Sequence, residues 1–312
     1  EVKPHQFLNF DFTIYNQIVD IFLPEVSIAP NTKIKGRINA DNNHLKLTAS
    51  SPSILAYGTR IDSLQLRTDN NNPKLPYDSF ITATQLNTPY YNLSKLNLVN
   101  LRQKDTLFFK STFEGGDTER EDFNLDFFFT INEQKKSVLG IEKSTFSFRG
   151  SDWSINPEAD KNNKVEFDIN SEEFAFSDFL LKSKEQQIKF RGILRDSTYK
   201  DLQAEFTKVR LNSFLPEIDS LKLRGELNGV IDFAQKDSLY SPKGTLVVKD
   251  FQINDFKQGD LSMNMEGDNS YEKYDVGMYL DTDEARSISA TGDIDFSKAR
   301  PIIDLEVFMK EF

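Results

Sequence analysis

No cysteine occurs among the 312 residues, which excludes disulfides, thiolate nucleophiles and zinc-thiolate centres. Histidine is nearly as scarce. His5 and His44 lie far apart, and no His-Glu-x-x-His or comparable ligand pair is present. His44 sits beside a turn cluster and reads as a solvent-exposed turn residue. Tryptophan occurs once, at Trp153, too little for the aromatic platforms a carbohydrate-active domain uses. Basic residues are outnumbered, 38 Lys and Arg against 49 Asp and Glu, for a net charge of -11. That balance disfavours nucleic acid and anionic membrane surfaces, both of which need clustered cations. No apolar run approaches the length of a membrane-spanning helix, and no signal peptide is visible. Glu1 is not a natural start, so a mature chain or one excised from a longer protein is expected.

Chemistry-bearing motifs are equally sparse. The Asp/Asn runs at 69–72 and 160–163 lack the alternating ligands and distal Glu of a calcium loop. Gly115-Gly116 and Gly225-x-x-x-Gly229 neither open a helix nor precede Gly-Lys-Ser/Thr, so they are not phosphate loops. Carboxylates are plentiful, but nothing singles out a catalytic pair. These absences point to a non-enzyme that carries no cofactor and no metal.

What the chain has in quantity is phenylalanine, 27 residues, a strand-prone side chain with a large apolar area. Apolar residues recur with period two almost from end to end. Phe123, Leu125, Phe127, Phe129 and Ile131 give the clearest case, with Asn124 and Asp126 between them. Phe146 and Phe148 follow, then Val165, Phe167 and Ile169, then Phe190 and Phe206. Leu221, Leu223, Ile231, Phe233, Leu246 and Val248 continue the stripe, and Val276, Met278, Leu280, Ile294 and Phe296 carry it on. Clusters such as Asp41-Asn42-Asn43 and Asp160-Lys161-Asn162-Asn163 separate the runs, as turns require. The expectation is an all-β, elongated antiparallel meander of about twenty strands, whose neighbours lie roughly 4.8 Å apart.

Repetition supports an array built from one unit. Phe22-Leu23-Pro24-Glu25 returns as Phe214-Leu215-Pro216-Glu217, and Ile61-Asp62-Ser63-Leu64 returns as Ile218-Asp219-Ser220-Leu221. Short helical signals at Tyr15 to Leu23 and at Val209 to Leu215, each stopped by proline, mark expected repeat seams near 15–25 and 209–217 within a single segment, 1–312. Gly150, Gly192 and Gly225 each follow an apolar-Arg pair, and Gly292 resembles them. Such glycines permit bends or bulges that would curl the sheet and make its apolar side concave. A curled single sheet leaves a continuous apolar trough, and exposed patches of several hundred Å² are rare unless something binds there. A hydrocarbon chain suits such a trough, because it needs area and no directional partner. The 23 stripe residues named above, Phe123 to Phe296, are the expected groove lining.

The run Phe22-Leu23-Pro24-Glu25-Val26-Ser27-Ile28-Ala29-Pro30-Asn31-Thr32-Lys33-Ile34-Lys35-Gly36 resembles the repeated region of TamB-like proteins of the AsmA-like superfamily. Leu45 to Pro52, Leu223 to Phe233, Pro242 to Val248 and Gly259-Asp260-Leu261 continue the likeness, which has the flavour of Bacteroidota homologues. Residues 85–125 match it least. The resemblance implies a middle segment of a protein spanning the Gram-negative periplasm. An N-terminal anchor outside this chain would hold it in the inner membrane, and other parts would meet an outer-membrane barrel of the Omp85 type. Its groove would shield phospholipid acyl chains between the two membranes and support outer-membrane biogenesis. The family has no catalytic residues to carry over. Two rival readings keep the β-architecture: a periplasmic chaperone for outer-membrane β-barrel proteins acting by strand addition, and a structural or adhesive β-repeat with a dry, self-filled interior.

Overall fold

A computed structural model describes residues 5–15, 23, 25–71, 77–89, 91–116, 121–168, 172–213, 221–237, 239–267, 272–282, 286–295, 297 and 302–310. The described fold is all-β and antiparallel. Its strands are β1 (Phe7–Ile14), β2 (Val26–Ile28), β3 (Thr32–Asn39), β4 (His44–Ala56), β5 (Thr59–Asp69), β6 (Ser79–Asn87), β7 (Asn92–Gln103), β8 (Thr106–Gly115) and β9 (Glu121–Ile131). They continue with β10 (Ser137–Ile141), β11 (Ser144–Phe148), β12 (Ser151–Ile155), β13 (Lys164–Asp168), β14 (Glu173–Ser183), β15 (Gln186–Arg195) and β16 (Tyr199–Arg210). The last are β17 (Leu223–Lys236), β18 (Leu239–Ile253), β19 (Phe256–Gly267), β20 (Lys273–Asp281), β21 (Arg286–Asp295) and β22 (Ile302–Met309).

The chain divides into two compact units, residues 1–131 with 144–148, and residues 132–143 with 149–312. In the first, β1 pairs with β3, and successive neighbours then run from β3 through β4 to β9. Strand β2 pairs with the far half of β4, and β11 pairs with β9. In the second, β10 pairs with β13, and a meander runs from β13 to β22, with β12 also beside β14. Tight hairpins follow from local chemistry. Tyr57 and Gly58 both have positive φ, 49° and 75°, the type I′ geometry that matches strand twist.

Helical structure among the described residues is one 3-10 turn, Leu211–Ser213. Val209 and Arg210, expected to begin a short helix, are strand residues paired with Leu227 and Glu226. The other expected helix falls largely on 16–22, and the latter part of the second seam on 214–217; those residues lie outside the described ones. His44 is not an exposed turn residue. It opens β4 with a side chain 23% exposed, and its Nε2 lies 3.2 Å from Oδ1 of the buried Asp69.

The strands are not uniform. At Asp178, Lys208 and Asp250, an extra residue with φ of 45 to 50° interrupts β14, β16 and β18. Each is a β-bulge that increases local twist. The extra residues are polar, whereas a glycine faces the phenylalanine beside each: Phe176 pairs with Gly192, Phe206 with Gly229, and Phe251 with Gly259. Gly192, Gly229 and Gly259 thus stand opposite bulged strands, whereas Gly292, also expected to permit a bend or bulge, pairs in regular register with Val276 and Leu305. A methyl at Gly229 would collide with the Thr245 carbonyl oxygen across the strand pair. Freed backbone groups at the bulges are caught by side chains. The Lys208 N–H donates to Asn228 Oδ1 at 2.8 Å, and the Asp250 N–H to Asp260 Oδ1 at 2.8 Å.

Candidate functional site

Cross-strand register places the apolar residues in continuous rows, because directly paired residues point to the same face. In the second unit one row reads Ile188, Phe206, Gly229, Leu246, Met263, Met278, Ala290, Val307 from β15 to β22. The next reads Phe190, Ala204, Ile231, Gly244, Met265, Val276, Gly292, Leu305. A third runs through Val209, Leu227, Val248, Leu261, Leu280 and Ile288 to Met309. Eight strands at about 4.8 Å spacing give each long row a span on the order of 34 Å.

Within these rows lies a cleft of about 470 Å³, lined chiefly by Ile231, Leu246, Met263, Met265, Val276 and Met278. Gly244 lies among them, and the missing side chain lowers the floor there. The size suits a small apolar ligand, for which sites of roughly 300–1,000 Å³ are usual. All four methionines of the chain, Met263, Met265, Met278 and Met309, stand on this one face. Methionine is unbranched and polarizable, and adapts to irregular apolar partners. Polar groups return at one margin, where Lys200 pairs with Gln235 on the same face and its Nζ lies 6.0 Å from the Tyr240 ring centroid.

The first unit carries a comparable face, built from phenylalanine. Leu107, Phe109 and Phe113 of β8 pair with Phe129, Phe127 and Phe123 of β9, and Phe146 of β11 pairs with Phe123. The rings stack: Phe109 on Phe127 at 4.9 Å, Phe113 on Phe123 at 4.5 Å, and Phe123 on Phe146 at 5.6 Å between centroids. A larger depression of about 610 Å³ in this unit has a mixed wall, with Asp11, Lys33, Lys35 and Arg67 beside Leu66 and Phe80. Charged side chains interrupt that wall, whereas the wall of the methionine-lined cleft is almost wholly apolar, so the cleft is the better candidate for hydrocarbon despite its smaller volume.

Burial on these faces is incomplete. Among the described residues the buried apolar side chains are nine: Ala83, Val99, Val138, Trp153, Ile188, Val209, Val248, Tyr274 and Leu280. Among the same residues thirteen polar ones are buried, and no phenylalanine is. A sheet face closed by a second sheet buries its central aromatics; here Met278 remains 43% exposed and Leu305 44%.

The expected lining residues therefore fall into two groups. Phe123, Leu125, Phe127, Phe129, Phe146 and Phe148 belong to the first unit, with Ile131 60% exposed at a strand end. Val165, Phe167, Phe190, Phe206, Leu223, Ile231, Phe233, Leu246, Val248, Val276, Met278, Leu280 and Ile294 belong to the second, with Leu221 40% exposed just before β17. Val248 and Leu280 are fully buried. Ile169 and Phe296 lie outside the described residues. Sequence reasoning left out Leu107, Phe109 and Phe113, whose alternation is broken by Ser111 and blurred by Phe108. It also left Met263 and Met265 out of the lining, although their alternation is plain.

Burial pushes the Asp69 carboxyl up. The hydrogen bond with His44, the Asn71 backbone N–H and the charge of Lys46 nevertheless hold it below its ordinary value of 3.8. Hydrogen bonds from Arg195 and Lys136 likewise lower Glu173. Among the described residues, no group of three or more His, Cys, Asp or Glu is placed to hold a metal ion. No protein-family model, no curated protein and no solved structure matches this chain.

Proposed function

We propose that this chain is a non-enzymatic lipid-conducting surface, shielding phospholipid acyl chains along its apolar rows while headgroups stay in water. One observation carries the reading: the phenylalanine and methionine faces stay solvent-accessible, whereas fully buried positions are more often polar than apolar. Each methylene removed from water contributes about 0.8 kcal/mol. Rows of similar apolar side chains offer successive positions of nearly equal energy, so an acyl chain slides without a barrier set by any directional bond. The resemblance to TamB-like proteins supports the same cargo and a periplasmic setting between two membranes, with membrane anchor and barrel contact supplied by other parts of a longer protein.

The test is organic extraction of the purified chain with quantitation of bound lipid, alongside Met265→Glu and Met278→Glu. The wild type should carry phospholipid, and the two variants should lose most of it while keeping the circular dichroism of a β-protein. Lipid content at background in the wild type, or unchanged in both variants, overturns the reading.

A further inference from the structure

On β16 the apolar face reads Phe206, Ala204, Leu202 and then a charge, Lys200. Lys200 pairs with Leu194 on β15 and with Gln235 on β17, and Gln235 pairs with Tyr240 on β18. The next row on this face runs Leu202, Phe233, Pro242, and the one after it Ala204, Ile231, Gly244. Ile231, Pro242 and Gly244 line the methionine cleft. A half-buried ammonium group thus stands at the margin of the apolar rows, two rows from the cleft floor. Four residues of strand separate Tyr240 from Gly244, roughly 14 Å.

The groups that hold Lys200 are neutral. Gln235 is 3% exposed, and its Nε2 donates to the carbonyl oxygens of Ser197 and Asp237 at 2.9 and 2.8 Å. Both amide protons are committed, so Oε1 is left to accept from Lys200 Nζ, as it does. The Tyr240 ring, 6.0 Å from Nζ, adds a weak cation-π attraction. Other lysines of this unit meet carboxylates: Lys136 meets Glu173, Lys182 meets Glu158, Lys208 meets Glu185 and Lys243 meets Glu266. Among the described residues Lys200 has no ion-pair partner, only Gln235 and Tyr240. In a chain of net charge -11, a cation fixed by a buried amide and left without a counter-charge favours an anion beside it.

We infer that Lys200 receives the phosphate of a phospholipid whose acyl chains lie on the apolar rows, an assignment that rests on the lipid-shielding reading above and adds the place where the headgroup is held. The phosphate supplies the missing charge and accepts the ammonium protons that Gln235 leaves over. From there an acyl chain runs across Leu202, Phe233 and Pro242 into the cleft around Gly244. Free phosphate shares the charge but gains nothing from the apolar rows, and a diglyceride gains only from the rows. A phospholipid uses both.

The test is calorimetric titration of the full chain with three soluble probes: dihexanoylphosphatidylcholine, dihexanoylglycerol and inorganic phosphate. The wild type should bind the phospholipid about tenfold more tightly than the diglyceride, as one charge-assisted hydrogen bond allows, and inorganic phosphate more weakly than the phospholipid. Lys200→Met keeps the apolar stem and removes the charge. It should bring the phospholipid down to the affinity of the diglyceride and leave diglyceride binding unchanged, which also shows that the variant is folded. Lys200→Arg should keep the preference. Equal affinity of the wild type for phospholipid and diglyceride, or a preference that survives Lys200→Met, overturns the headgroup assignment while the acyl-shielding reading stands, since both lipids still bind. Inorganic phosphate bound as tightly as the phospholipid also overturns it, in favour of a free-anion site. A wild type that binds neither lipid removes the acyl-shielding reading and the headgroup assignment together.

Discussion

The ring of Phe10 lies across Gly36, its partner on the adjacent strand, so closely that a Cβ at Gly36 would fall inside the ring's van der Waals surface. The same pairing of phenylalanine with glycine recurs at Phe176–Gly192, Phe206–Gly229 and Phe251–Gly259. An aromatic ring over a glycine covers backbone that the glycine leaves bare.

Gly36→Val should therefore dislodge the Phe10 ring and loosen β1. Overpacking of this kind costs about 1–3 kcal/mol. Hydrogen exchange over residues 7–14 should accelerate in Gly36→Val, and the double variant with Phe10→Ala should recover part of the urea midpoint.

The bulge at Lys208 depends on Asn228, whose Oδ1 accepts the Lys208 backbone N–H. Asn228→Ala leaves that donor without its acceptor and should cost about 1–2 kcal/mol in urea unfolding. Asn228→Asp keeps an acceptor and should cost less. Equal losses in the two variants would sink this account of the bulge.

Phe127 is half-buried and stacks on Phe109 at 4.9 Å and 11°. Phe→Ala in a closed core costs about 3–5 kcal/mol. On this open face Phe127→Ala should cost about 1–2 kcal/mol, mostly the lost stack and partial burial. Phe127→Glu and Phe167→Glu should retain the β-fold by circular dichroism while bound lipid falls, as measured by mass spectrometry.

Asp69 titrates below its ordinary value because His44, the Asn71 N–H and Lys46 together outweigh its burial. A depressed carboxyl contributes stability that is present above the unfolded-state value and is lost as pH falls through the folded one. Part of the wild-type stability should disappear on acidification below about pH 4. Asp69→Asn should be less stable at pH 7, and its melting temperature should change less between pH 7 and pH 3.

The bulges left a trace in the sequence that period-two reading passes over. Phe176 and Phe179, Phe206 and Val209, and Val248 and Phe251 each share a face at a spacing of three, because the inserted residue resets the alternation. That step resembles a helical spacing, so period two does not carry the strand on to Val209, which reads instead with the segment stopped by Pro216 although it is a fully buried strand residue. The stretch from Phe123 to Ile131 posed no such problem, since its parity is never reset and Phe128 alone departs from the alternation.

Composition and alternation alone determined that this chain is an antiparallel β-meander with one greasy and one polar side, because a side chain's face is set by its parity along the strand. Tertiary register decided the rest: that Phe206 meets Gly229, that His44 reaches Asp69, and that Met263, Met265 and Met278 gather around Gly244. Those partners lie on different strands, and which residue sits opposite which depends on turn lengths and on single extra residues at Asp178, Lys208 and Asp250. A one-residue insertion shifts every pair beyond it, so adjacency across strands becomes fixed only when the sheet forms.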